Sequence, residues 1–193
     1  MSRDNAVLIR GGGDLASGVA LRLHRSVIRV VVTELPQPLA VRRAVSFAEA
    51  VYEGTWEVEG VRGRLVEVDQ LSAAWEADEI PVLVDPDLEI LTAYRFPVVV
   101  DGRLIKRPPA PLPHPVPLHI GLGPGFTAGS DCHAVIETRR SHTLGRVIWE
   151  GVSQADSGEP EGDPRRVLRA PADGVLQGVK RIGEHVEAGE VVA

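Results

Sequence analysis

The sequence predicts an α/β protein with a mainly parallel sheet, followed by a small all-β appendage. Three observations predict it. Short β-branched apolar runs recur along the first 150 residues, with helical or turn-rich stretches between them. Two of these runs end in glycine corners, at Gly11-Gly-Gly13 and at Gly121-Leu-Gly123-Pro-Gly125. Beyond a polar stretch rich in breakers, short apolar segments alternate with single glycines. The boundaries that follow are an α/β domain over 1–150, a linker over 151–166 and a β module over 167–193.

Ala6 to Arg10 reads as a buried strand. Gly11, Gly12 and Gly13 turn the chain and leave amides open to a ligand. Asp14 or Ser17 is placed to cap a helix with an apolar stripe of Leu15, Ala16, Val19, Ala20 and Leu23. Gly18 would bring that helix close to the strand. A helix N-terminus at a bare turn favours anions, because orphan N–H groups and the helix dipole both attract negative charge. A second strand, Ile28 to Thr33, ends at Glu34. In dinucleotide-binding folds an acid about 20 residues beyond the glycines binds the ribose hydroxyls, and Glu34 meets that spacing. The third glycine departs from the usual pattern, since Gly18 stands further from Gly13 than the motif places it.

Leu39 to Val51 reads as a helix with Ala40, Ala44, Phe47, Ala48 and Val51 on its apolar side. Arg42 and Arg43 lie elsewhere on it, either solvated or within reach of a phosphate near Glu34. Thr55 to Val68 reads as strands or a hairpin with turns at Gly60 and Gly63. Asp69 is placed to cap a short helix carrying Leu71 and Trp75. Ile80-Pro-Val-Leu-Val-Asp-Pro-Asp87 is the next buried strand, with Asp85 at its carboxyl end and a helix following over about 87–94. Pro97 to Asp101 repeats that arrangement. Asp85 and Asp101 are each either a site residue at the ligand-binding edge or a cap or turn former. The prolines from Pro108 to Pro117 exclude helix and central strand, so that segment is an extended arm.

Leu118 to Gly121 begins the second informative stretch, a strand leading into the second glycine corner. His133 to Glu137 and Leu144 to Trp149 are the last strands of the domain. Both corners follow strands, which predicts that they face one ligand-binding edge. Lys106, Arg139 and Arg140 could neutralise an anion there. Cys132 is either a thiolate near the corner or a small buried residue. Adjacent residues of a strand point to opposite faces, which argues against a Cys132–His133 catalytic pair. His114, His119, His142 and Asp131 lack metal-ligand spacing, so no metal site is expected.

The composition narrows the function classes. In 193 residues there is room for one sizeable domain and a small appendage. The net charge of −6, without a basic block, argues against nucleic acid. No apolar run is long enough to span a membrane. Met1-Ser-Arg-Asp-Asn5 leads straight into a strand without a leader, and Cys132 is the sole cysteine. Both features predict a cytoplasmic protein.

The segment from Val167 onward, with turns at Gly174, Gly178, Gly183 and Gly189, is similar to the first half of a biotinyl/lipoyl-type barrel-sandwich. The half with the modifiable lysine hairpin is missing and Lys180 lacks flanking methionines, so no covalent biotin or lipoate is expected. The module is expected to be truncated, or to have a tail ordered only by borrowing strands from another copy.

Three segments together resemble a known family: Ile9 to Ala20, Val32 to Ala50, and Ile120 to Phe126 with Asp131 to Arg140. The chain resembles accessory proteins that mature selenium-dependent molybdenum hydroxylases. Its N-terminal half is similar to the Rossmann domain of xanthine dehydrogenase accessory proteins. The resemblance implies a Rossmann-like sheet and a role in delivering or inserting selenium, or sulfur, at the molybdenum cofactor. The implied partners are the hydroxylase apoenzyme and a selenium or sulfur donor protein. On this reading Gly11, Gly12, Gly13 and Asp14 hold a phosphate of a nucleotide, NAD-like or a molybdopterin dinucleotide. Glu34 takes a ribose, with Asp85, Asp101, Lys106, Gly121, Gly123, Gly125 and Arg139 around the ligand. Cys132 is the candidate carrier of activated selenium or sulfur. The residues also admit a nicotinamide-dependent oxidoreductase, or a non-catalytic scaffold that docks the target enzyme. Association into homo-oligomers fits any of the three.

Overall fold

The computed structural model describes residues 6–156 and 168–193. The chain divides into two units, Met1–Ala155 and Asp156–Ala193. Most of the expected linker lies outside the described residues, as does Val167.

The first unit contains strands β1 (Ala6–Arg10), β2 (Arg29–Glu34), β3 (Thr55–Val58), β4 (Val61–Leu65), β5 (Ile80–Val84), β6 (Val98–Asp101), β7 (Leu118–Leu122), β8 (Thr127–Ala128), β9 (Ala134–Ile136), β10 (Val147–Ile148) and β11 (Gly151–Val152). Its α-helices are α1 (Asp14–Arg25), α2 (Ala50–Glu53), α3 (Leu71–Glu76) and α4 (Ile90–Ala93). Nine strands form one sheet in the order β10-β9-β7-β6-β1-β2-β5-β4-β3. All neighbours are parallel except the β3/β4 hairpin and the β9/β10 pair at the two edges. β8 and β11 form a separate antiparallel pair. The α/β class with a large, mostly parallel sheet is therefore as the sequence predicts.

The parallel strands run β4-β5-β2-β1-β6-β7-β9. On one side of β1 the chain places β2, then the β3/β4 hairpin at the edge with β5 inserted between them; it then returns and builds β6, β7 and β9 outward on the other. This order is consistent with a Rossmann-like arrangement, and it places the reversal between β1 and β6. In open α/β sheets ligands bind above the carboxyl ends of the strands at such a reversal.

Strand alternation sorts the core into two layers. Val7, Ile9, Val30, Val32 and Val100 pack with Ala16, Ala20 and Leu21 of α1, and with Phe47. Leu8, Val31 and Val99 pack with Leu71, Ala74, Leu88 and Ile90 on the other face. Leu112 and Val116 of the proline arm lie against this second layer. The arm carries neither helix nor strand, as its prolines require.

Several local expectations are corrected. The cap of α1 is Gly13; Asp14 is its first residue and Ser17 lies inside it, buried. Gly18 is exposed and faces open space. The close approach is made elsewhere: a Cβ on Gly102 would lie 2.6 Å from the Ala16 Cβ. Leu15 is exposed, and Leu21 is buried instead.

The helix expected over 39–51 is broken into two short 3-10 turns, Arg43–Val45 and Phe47–Glu49, before α2. Ser46 is extended, at φ −126° and ψ 122°. The amides of Phe47 and Ala48 donate instead to Ser17 Oγ (2.8 Å) and the Gly12 carbonyl (2.9 Å). Amides spent on tertiary partners cannot close helical turns.

Asp69 lies inside a 3-10 turn, Val68–Gln70, that leads into α3 and is capped by Glu67 in a reciprocal box with Gln70. The helix over 87–94 shortens to α4. The last expected strand shortens to the two residues of β10.

In the second unit no strand occurs among residues 168–193. The amides of Val179 and Lys180 donate to the Val192 carbonyl, at 2.9 and 3.3 Å. Val175, Leu176 and Val191 are exposed. Among the described residues, no helix is long and apolar enough to cross a membrane.

Candidate functional site

β1 and β7 are parallel members of one sheet, so both glycine corners stand at its carboxyl edge, as expected from the sequence. They differ in what fills them.

At the first corner the Gly11 amide extends the β1/β2 ladder by donating to the Thr33 carbonyl at 2.8 Å. Gly11 adopts φ +88°, a left-handed conformation suited to glycine. The Gly12 amide donates to Glu34 Oε1 at 2.6 Å, and the Leu35 amide donates to Oε2 at 2.8 Å. Two of the three glycine amides expected to be bare are thus taken, one by the acid expected to hold a ribose. Gly12 is also tightly enclosed: a Cβ there would lie 2.9 Å from the Ala48 nitrogen. Ser17 Oγ donates to the Gly12 carbonyl at 2.9 Å, locking the corner onto α1. Gly13 faces open space, and no side chain caps the N-terminus of α1. Asp14 pairs with Arg42 at 2.6 Å. What remains open at this corner is Gly13 and the first turn of α1.

The second corner is filled by the protein itself. Gly121 lies within β7, and a Cβ there would meet the Phe126 ring at 2.3 Å. The Gly123 amide donates to the Ile136 carbonyl at 2.9 Å. A Cβ on Gly125 would meet the Ile105 carbonyl oxygen at 2.4 Å. These glycines permit close backbone packing, which corrects their expected role as a second bare anion turn.

Between the corners, at the reversal, lies a charged cluster of which the sequence named Asp101 but not its two arginine partners. Asp101 is fully buried. Arg103 grips it with two bonds, Nε to Oδ1 at 2.9 Å and Nη2 to Oδ2 at 2.6 Å. Arg10 Nη1 stands 3.8 Å from Oδ2, while its Nη2 donates to the Pro86 carbonyl at 2.9 Å. Burial first, then the like charge of Arg103, pushes the Arg10 guanidinium down from its usual value. Arg103 also lies over the first corner: a Cβ on Gly11 would meet its Cγ at 3.1 Å. The available signal was positional, since Arg10 ends β1 and Arg103 follows Asp101 by one glycine.

Asp85 proves to be a cap, its two oxygens accepting the amides of Glu89 (2.8 Å) and Ile90 (2.9 Å). Lys106 is exposed in the segment after β6, and Arg139 is exposed after β9. The Arg139 amide donates to Glu137 Oε1 at 2.8 Å. Glu137 is buried, and burial raises its pKa. The amides of Gln154, Arg139 and Thr138 outweigh that and hold it below the usual carboxylate range.

Cys132 is buried beside Phe126, Ala128 and Val135, and its thiol donates to the Ala134 carbonyl at 3.2 Å. Burial pushes the thiol up, opposite to what a thiolate carrier needs. His133 is exposed while Cys132 is buried, so the two side chains part, although both precede β9 and the strand expected from His133 begins at Ala134. His119 is buried on β7, with Phe126 edge-on to its ring. Its Nε2 has no hydrogen-bond partner, and burial pushes its pKa down.

No family model matches the chain, and no solved structure matches it. The chain is similar to an uncharacterized protein of Escherichia coli (strain K12), YqeB, with 44% identity over 192 residues. The match covers 97% of this chain and 36% of that protein, so the chain spans little more than a third of its relative's length.

Proposed function

We propose that this chain binds a nucleotide-bearing cofactor at the first glycine corner and assists maturation of a selenium-dependent molybdenum hydroxylase. The observation that carries the binding reading is the placement of Glu34. Its carboxylate sits on the Gly12 amide, at the end of β2 and beside the strand reversal. An acid in that position can accept ribose hydroxyls while the first turn of α1 meets a phosphate. The ligand is NAD-like or a molybdopterin dinucleotide, both of which carry a pyrophosphate and a ribose. The maturation role rests on the sequence resemblance. Selenium or sulfur transfer through Cys132 has less support, since the thiol is buried.

Isothermal titration with NAD and with the molybdenum cofactor dinucleotide tests the binding reading. The comparison is wild type against Gly13→Asp. Gly13 has open space for a side chain and ordinary backbone angles, φ −65° and ψ 178°. The variant should therefore fold while its carboxylate repels phosphate. Binding by wild type alone supports the reading; equal binding by both proteins removes the phosphate site.

A docking role for the second unit has its own support. Residues 168–193 carry no strand of the expected barrel-sandwich half, but their exposed Val175, Leu176, Val179 and Ile182 offer apolar surface to a partner. Loss of hydroxylase capture on deleting residues 168–193, with nucleotide binding intact, would separate the two roles.

A further inference from the structure

We infer that Arg103 is a phosphoryl-binding residue of the strand-reversal site, held by Asp101 until a ligand arrives. The inference rests on the nucleotide reading and names the chemistry that the site recognises.

Thr33, Arg10 and Asp101 stand in one register row across β2, β1 and β6. Two guanidiniums, Arg10 and Arg103, share the single buried carboxylate of Asp101. Asp87 and Asp85 also act on Arg10, so Arg10 keeps carboxylate partners if Arg103 leaves Asp101. An anion would replace Asp101 as the partner of Arg103. Thr33 Oγ1 is a second feature in need of a partner. Its side chain is buried beside Arg10 in the register and has no hydrogen-bond partner.

Mobility and reach favour Arg103 over Arg10. The Arg103 side chain is 31% exposed, against 15% for Arg10. Arg10 is anchored by the Pro86 carbonyl. Arg103 spans from the Gly11 corner to Asp101. Arg10 stays 3.8 Å from Asp101 and remains to compensate the carboxylate. The planar fork that grips Asp101 through two bonds suits a phosphoryl group equally well. Leu104, the next residue, has φ +53°, a strained conformation at the point where this segment turns away.

The test titrates the whole chain with inorganic pyrophosphate, NAD and adenosine. Wild type should bind pyrophosphate and NAD. Arg103→Ala should lose roughly ten- to a hundredfold in affinity for both, since a charged hydrogen-bond pair is removed. Adenosine, lacking phosphate, should bind wild type and variant alike. Arg103→Gln keeps a donor for Asp101 and should show the same loss; it serves if the alanine variant melts early. A loss confined to NAD also supports the inference and identifies the ligand as nucleotide-borne; a loss for both means that free pyrophosphate suffices. Wild-type affinity for pyrophosphate and NAD in folded variants overturns the role of Arg103 and leaves the nucleotide reading standing. Wild type binding neither overturns both.

Discussion

The carboxylate of Glu34 closes on the amide of Gly12 at 2.6 Å, binding the end of β2 to the corner that follows β1. A second oxygen takes the Leu35 amide, so one side chain satisfies two backbone donors. This ties the acid and the glycine turn into one unit before any ligand is present.

Replacing Glu34 by alanine leaves both amides without this acceptor. The expected loss is about 1–2 kcal/mol in urea denaturation, with a smaller loss for Glu34→Gln, which keeps an acceptor oxygen. Inorganic phosphate should bind either variant more tightly than wild type, because a competing negative charge is gone. Unchanged phosphate affinity would show that Glu34 does not guard the corner.

Gly121 faces the fully buried ring of Phe126 with no room for a methyl group. Gly121→Ala should destabilise the protein by about 1–3 kcal/mol through overpacking. Trimming the ring in the double variant Gly121→Ala/Phe126→Leu should recover part of that loss. Simple additivity of the two single changes would argue against the contact.

His119 carries a pH dependence of definite sign. Burial holds its folded pKa below the ordinary 6.5. The Asp101 carboxylate and a hydrogen bond to the Asp131 backbone favour the charged form, while His133 and Arg10 oppose it. Above pH 6.5 both folded and unfolded chains carry a neutral ring and nothing is lost. As the pH falls below 6.5 the unfolded chain takes up a proton that the folded chain resists. Stability then falls by up to about 1.4 kcal/mol per pH unit from this group. Urea denaturation between pH 7.5 and pH 5 should show a flatter dependence in His119→Gln than in wild type.

Cys132 should be inert in the folded protein. Its raised pKa and burial predict alkylation by iodoacetamide at pH 7.5 that is slower, by at least roughly tenfold, than in the urea-unfolded chain. Fast modification of the native protein would restore the thiolate carrier that the burial argues against.

By itself the sequence determined the parallel strands of the first unit, the class and the edge. β-branched runs bounded by glycine and proline report strands because backbone sterics act locally, and parallel strands put both corners at the same end. The proline arm and the β3/β4 hairpin were legible for the same reason. Tertiary structure decided which amides are free, since hydrogen bonds are assigned by whatever lies nearest in space. Glu34 claims Gly12, the Gly12 carbonyl and Ser17 claim the amides of Ala48 and Phe47 and break the expected helix, and Phe126 fills Gly121. The meeting of Arg10, Asp101 and Arg103 was equally out of local reach. It exists because β1 and β6, some ninety residues apart in the chain, are neighbours where the sheet reverses.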